Sequence, residues 1–315
     1  MQLRLQSCGK YDIISKKRKG DMKMSKVKIM TDSAADISPA QAEKYGIELI
    51  NFWIIIGERS LRENVEYTRE EFYKILEESE ELPHTSQVRI EDYTEAYEKQ
   101  FADGVTDLIN VVIASIGSNS FNNANAARDK FYELHPEAKD KMNITVMDSK
   151  GYTGVYGLPV MMAAKKIQKG APADEITAFL ADWFDSGVIV CTAMTLKYAK
   201  KSGRVGCAAA FVGEMLGLKP IITFRDAVSE TAAKIRGEKA VLPKMVEYAL
   251  EHMVPGTPYA VLEGCIREHS EELIRLMKKA VGYDPEEVCP VGATIACHLG
   301  PDVCGIIIKE PNRKA

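Results

Sequence analysis

From Val27 onward, short runs of β-branched residues alternate with stretches whose apolar residues recur at helical spacing, which is the signal for a mostly parallel sheet covered by helices. The strand candidates of the first half are VKIM at 27 to 30, LINFWIII at 49 to 56, LINVVIA at 108 to 114 and ITVM at 144 to 147. Helical patterns at 68 to 79, 90 to 103, 121 to 134 and 156 to 169 accompany them. Ser38, Pro39 and Gln41 form a capping box that starts a further short helix, and Gly46 stops it.

Gly170, followed by Ala171 and Pro172, ends the helical pattern after Gln168 and is the expected boundary between two α/β domains, 24 to 170 and 171 to 315. A chain of 315 residues suits two domains. The second part has strand-like runs at 187 to 194, 219 to 224, 258 to 263, 288 to 294 and 304 to 309, with helical patterns at 237 to 252 and 268 to 281. With no repeat and no low-complexity linker, the two domains are expected to pack around a shared ligand cleft. Residues 1 to 23 are basic without a sustained apolar period and are expected to be a disordered extension, the folded protein starting near Met24.

Lys plus Arg number 41 against 45 Asp plus Glu, so no overall field argues for nucleic acid or an anionic surface. No apolar run reaches the roughly 18 residues of a membrane span, and the start lacks the apolar core of a secretory signal; a cytoplasmic protein is expected. The seven cysteines are scattered, without CxxC pairs or histidines at zinc spacing, which points to reduced thiols and no metal site, Cys297 and Cys304 included.

Three strand ends of the first half run into hydroxyl and carboxylate residues: TDS at 31 to 33, SIGSNS at 115 to 120 and DS at 148 to 149. Ligands of open α/β sheets bind beyond the carboxyl ends of the strands, so these loops, with Asp32, Ser33 and Asp148, should converge. They offer small neutral donors and no lysine. Ser118 and Ser120 precede the helix that opens with Phe121, where free backbone N–H groups favour an anion; a plain helix cap accounts for them equally. In PHTSQ at 83 to 87, Thr85 and Ser86 stand upstream of a helix that begins near Arg89 or Ile90, their hydroxyls either free for a ligand or closed in a local turn.

Arg204 in KKSGRVG (200 to 206) and Arg236 beside Gly237 serve a site or are surface charges. His298, after a strand candidate and before a Gly-Pro turn, is placed where a binding histidine reaches a cleft, or it is structural. GxxxxGK[ST], GxGxxG after a strand, GxSxG and HExxH are all absent, and GYTGVYG at 151 to 157 has the wrong glycine spacing for a dinucleotide.

The order of the short motifs is more specific than any one of them: TDSAAD at 31 to 36, HTSQ at 84 to 87, SNSFNNA at 118 to 124, MDS at 147 to 149, SGRV at 202 to 205 and LKPII at 218 to 222. In this the sequence resembles the DegV family of fatty-acid-binding proteins, over nearly everything after Met24. The resemblance implies two α/β domains with a long-chain fatty acid buried between them. It also implies a role as the binding subunit of a fatty acid kinase, with the kinase a separate protein. Transient membrane contact and no cofactor are expected besides. By the same resemblance Thr85 with Ser86, and Ser118, hold the carboxylate, His298 matches, and Arg204 and Arg236 match arginines near the cleft mouth or the partner surface. Three departures stand out: Ser118, Asn119 and Ser120 replace Ser-Gly-Thr, Glu63 and Asn64 replace an Asp-Gly turn, and HLGPD at 298 to 302 replaces His-Thr-Gly-Pro-Gly. The rival functions are a hydrolase or transferase using Asp32, Ser33 and His298, and a binder of another small organic acid in the same cleft.

Overall fold

The computed structural model describes residues 25–210 and 217–313; the expected extension at 1 to 23 lies outside them. The chain opens with β1 (Val27–Asp32), α1 (Pro39–Tyr45), β2 (Glu48–Ile50), β3 (Trp53–Ile56), β4 (Arg59–Arg62), α2 (Arg69–Glu78) and β5 (His84–Ser86). It continues through α3 (Ile90–Ala102), β6 (Asp107–Val112), α4 (Ser120–Leu134), β7 (Asn143–Asp148) and α5 (Gly154–Gln168). Then follow α6 (Ala173–Phe184), β8 (Gly187–Ala193), α7 (Lys197–Ser202), β9 (Leu218–Arg225), β10 (Val228–Arg236) and α8 (Val241–His252). The last elements are β11 (Ala260–Glu263), α9 (Arg267–Val281), β12 (Glu287–Pro290), α10 (Ala293–Leu299) and β13 (Val303–Lys309).

The expected α/β class holds, with a parallel four-stranded sheet in order β2-β1-β6-β7 in the first domain. The second domain carries a six-stranded sheet in order β10-β9-β8-β13-β11-β12, in which only β11 and β12 run parallel. The capping box of Ser38 and Gln41 starts α1 as its sequence requires, and Gly46 ends it in the left-handed region at φ +67°.

Two apolar runs behave differently from expectation. The run at 49 to 56 is two strands: β2 joins the parallel sheet, whereas β3 pairs antiparallel with β4 and β5 in a separate three-stranded sheet. The break falls at Phe52, whose buried N–H donates to Ser33 Oγ (2.9 Å) and not to a strand. The run at 288 to 294 is likewise divided, β12 ending at Pro290 and α10 starting at Ala293. This helix start depends on acceptors from the other domain: Asp36 Oδ1 takes the Gly292 N–H (2.8 Å) and Glu63 Oε1 the Thr294 N–H (3.2 Å). The short helix that KKSGRVG is expected to end is α7, Lys197–Ser202, whereas β4, β5, α6 and β10 carry no expectation from the sequence, and the helix expected over 237 to 252 starts at Val241, after β10 has ended.

α5 is buried on nearly all sides. Gly157 lets it approach the first domain, since a Cβ there would stand 2.1 Å from the Ala35 carbonyl oxygen; on the second domain's side, a Cβ at Gly154 would stand 2.4 Å from Ile307 Cδ1. One apolar core therefore crosses the domains, from Ile29 and Val111 through Tyr156 to Ile189 and Ile307. The alternate residues Val188, Val190, Ile306 and Ile308 point to the other face of the large sheet, where a second core lies with Val241, Met245 and Leu273 of α8 and α9.

Candidate functional site: a cleft between the domains

A cavity of about 540 Å³ lies between the domains, within the usual size for small-molecule sites. β5 supplies Thr85, the loop after β6 supplies Ser118, the turn after α7 supplies Arg204, and α10 supplies Thr294, Ile295, His298 and Leu299. Those four positions of α10 share one helical face. Apolar walls come from Phe52, Ile113, Ile189, Val205 and Phe224. A second cavity of about 580 Å³, reaching Glu80, Glu81 and Lys201, shares Thr85, Arg204 and His298 with the first.

Thr85 Oγ1 and His298 Nε2 are 3.1 Å apart where the two cavities meet. Burial above all, then the charge of Arg204 and of His84, lowers the His298 pKa from 6.5 to about 4. The ring is neutral at pH 7, and its buried Nδ1 has no hydrogen-bond partner among the described residues. With the ring proton on Nε2 it donates to Thr85 Oγ1, leaving the threonine proton free for an acceptor in the cavity.

β-strand alternation separates the two hydroxyls of the TSQ segment. Thr85 pairs opposite Ile54 and lines the cavity, while Ser86, opposite Trp53, does not. The two serines of SNS divide in the same way. Ser118 lines the cavity; Ser120 is fully buried, its Oγ 2.9 Å from Ser118 Oγ and accepting the Val88 N–H (3.2 Å). With Asn123 Nδ2 donating to the Val88 carbonyl (2.8 Å), the start of α4 fastens the segment that carries Thr85.

Asp32 and Ser33 are not in the cavity. Asp32 is fully buried and accepts the Tyr156 O–H (2.6 Å) and the N–H groups of Ile113 (2.8 Å) and Ala34 (3.1 Å); burial still raises its pKa to about 6. Ser33 donates to Glu63 Oε2 (2.6 Å). The grouping of Asp32, Ser33 and His298 needed by the hydrolase reading is therefore not assembled. Arg236 is exposed at the end of β10 and is not part of the cavity wall.

Sequence reasoning missed the pair of carboxylates that fixes α10. Besides the Thr294 N–H, Glu63 accepts the Thr294 hydroxyl (Oε2, 2.6 Å), and Asp36, besides the Gly292 N–H, accepts the Thr153 hydroxyl. Both acids are buried, and burial raises both pKa values, opposed at Asp36 by Thr153 and Gly292 and at Glu63 by Ser33 and Thr294. Asp36 stood in the TDSAAD motif and Glu63 in a departure, but no local pattern ties either to a helix more than two hundred residues away. Among the described residues no helix is long and apolar enough to cross a membrane.

A sequence model of the DegV family, described as an uncharacterised protein family, matches residues 26–310. A DegV domain-containing protein of Clostridium perfringens is 29% identical over 282 residues, covering 89% of this chain and 97% of the relative. Among solved structures, a DegV lipid binding protein from Thermotoga maritima superposes with a TM-score of 0.78 at 25% identity, covering 91% of this chain and 99% of its own. A stearic acid-binding protein from Eubacterium ventriosum gives a TM-score of 0.81 at 24% identity, covering 92% and 100%. With nearly all of its described residues inside the family match, the chain belongs to the DegV family.

Proposed function

We propose that this protein binds a long-chain fatty acid in the cleft, its carboxylate held by the hydroxyls of Thr85 and Ser118, and presents it to a separate ATP-dependent fatty acid kinase. The observation that carries this reading is the placement of Thr85 against neutral His298 beside a cavity with apolar walls. A solved relative with the same fold is described as stearic acid-binding, which agrees with it.

Affinity comes from the tail. Burying a methylene contributes about 0.8 kcal/mol, so a chain of roughly 16 carbons offers on the order of 10 kcal/mol gross. Each hydroxyl donating to the carboxylate adds about 1.5 to 3 kcal/mol, which fixes orientation. Neutral donors also suit a hand-off, because a buried cation pressed on the carboxylate would stabilise the free acid against conversion to an acyl phosphate. Arg204 and Arg236, both exposed, are cations that a partner can meet. Ile116, at the cavity rim and 73% exposed, offers an apolar point for passing membrane contact.

The test is organic extraction of the purified protein with mass spectrometry of the extract, followed by uptake of added fatty acid by delipidated protein. A fatty acid in the extract and uptake on addition support the reading; an extract without fatty acid from protein that also takes none up removes it.

A further inference from the structure

Tyr152 is half-buried in the wall of the first cavity, and its hydroxyl has no hydrogen-bond partner among the described residues. A Cβ at Gly117 would stand 2.5 Å from Tyr152 Cε1 and 2.6 Å from its hydroxyl oxygen, so the phenol end of the side chain rests on the residue that precedes Ser118. The turn that carries the tyrosine is tied to the same loop, since the Ala114 N–H donates to the Gly151 carbonyl (3.1 Å). On its far side the Thr153 hydroxyl donates to buried Asp36. The ring itself meets Phe224 edge-on, 5.9 Å between centroids.

A second relationship puts the phenol at the polar end of the cleft. Burial raises the Tyr152 pKa and lowers that of His298, and at both residues the next contribution is the charge of Arg204. The phenol and the imidazole that touches Thr85 therefore stand around one guanidinium. At pH 7 the phenol keeps its proton, so it is a neutral donor, and being more acidic than the hydroxyl of serine or threonine it is a stronger one toward an anion.

We propose that Tyr152 is a third hydroxyl donor to the ligand's head group: its phenol, resting on Gly117 beside Ser118, donates to the carboxylate that Thr85 and Ser118 hold and favours an acid over an uncharged lipid of the same length. This rests on the fatty-acid reading above. It adds to that reading a residue that sets the preference for a charged head group without a buried cation.

The experiment titrates delipidated wild type, Tyr152→Phe, Gly117→Ala and the double variant with hexadecanoic acid and with hexadecan-1-ol, thermal melts confirming a folded state. The quantity compared is the affinity for the acid relative to the alcohol. A hydrogen bond to a charged group is worth more than one to a neutral group, so Tyr152→Phe, which keeps the ring, should weaken the acid about tenfold and the alcohol about threefold, lowering the ratio on the order of threefold. Gly117→Ala, whose methyl displaces the hydroxyl, should lower the ratio in the wild-type background and leave it unaltered in Tyr152→Phe. Should Tyr152→Phe fail to melt cooperatively, Gly117→Ala decides. In the variants the carboxyl carbon of bound labelled acid should also titrate at a higher pH by NMR, because a donor to the charged form has been lost. Equal losses for acid and alcohol, or none, in variants of a wild type that binds the acid overturn this proposal alone; a wild type that binds no fatty acid overturns the fatty-acid reading and this proposal with it.

Discussion

Thr85 and His298, separated by 213 positions and contributed by different domains, meet with Oγ1 and Nε2 3.1 Å apart. The contact joins the sheet of β3, β4 and β5 to α10 at one end, while Asp36 and Glu63 hold the same helix at the other. The polar end of the cleft is thus fixed by the first domain gripping a single short helix of the second.

The His298 ring should titrate near 4 in the ligand-free protein, as read from its ring-proton NMR shifts. A pKa depressed below its unfolded value means that the stabilising contribution is full above about 6.5 and is lost as the pH falls through about 4. A carboxylate beside Thr85 favours the imidazolium, so fatty acid should move this midpoint upward. An unmoved midpoint in a saturated sample would place the carboxylate elsewhere.

Thr85→Val and Ser118→Ala should each weaken fatty-acid binding by about tenfold or more, the value of one hydrogen bond to a charged group. Calorimetric titration of variants that still melt cooperatively checks this. Full affinity in the double variant would refute the carboxylate assignment.

Glu63→Ala removes the shared acceptor of the Ser33 hydroxyl and of the Thr294 N–H and hydroxyl, all buried. The expected loss is about 2 to 4 kcal/mol in denaturant unfolding, against about 1 kcal/mol for Thr294→Val. Equal losses in the two variants would show that Glu63 is not the common anchor of α10.

Gly157→Ala places a methyl 2.1 Å from the Ala35 carbonyl, a backbone atom that cannot rotate away. α5 must then move off the first domain, at a cost of about 1 to 3 kcal/mol in unfolding measurements. A neutral substitution would mean that the helix does not sit this close.

Arg236→Ala should reduce acyl-phosphate formation in a mixture with a cognate kinase and ATP while leaving fatty-acid affinity unchanged, because the side chain stands away from the cavity. Loss of lipid binding instead would assign the arginine to the pocket.

The elements that sequence made legible are those whose signals are local. The capping box at Ser38, the helix after Arg89 and the β-branched strands β1, β6 and β7 all lie where their own residues place them. What stayed hidden depends on distant partners. The division of the apolar run at Phe52 follows from Ser33, and the start of α10 follows from Asp36 and Glu63. At the site, motif order pointed to Thr85, Ser118, Arg204 and His298, which the fold does gather around one cavity. It also pointed to Asp32, Ser33, Ser86 and Ser120, and could not separate these, because a hydroxyl or carboxylate that orders a loop looks the same in sequence as one that faces a ligand.

The central claim is that the cleft holds a fatty acid, and native mass spectrometry of the purified protein, with identification of the released ligand, tests it most directly. The account predicts a mass increment matching one fatty acid per chain, lost on delipidation and restored by added acid. Protein that shows no increment, and gains none in the presence of long-chain fatty acids, would contradict it.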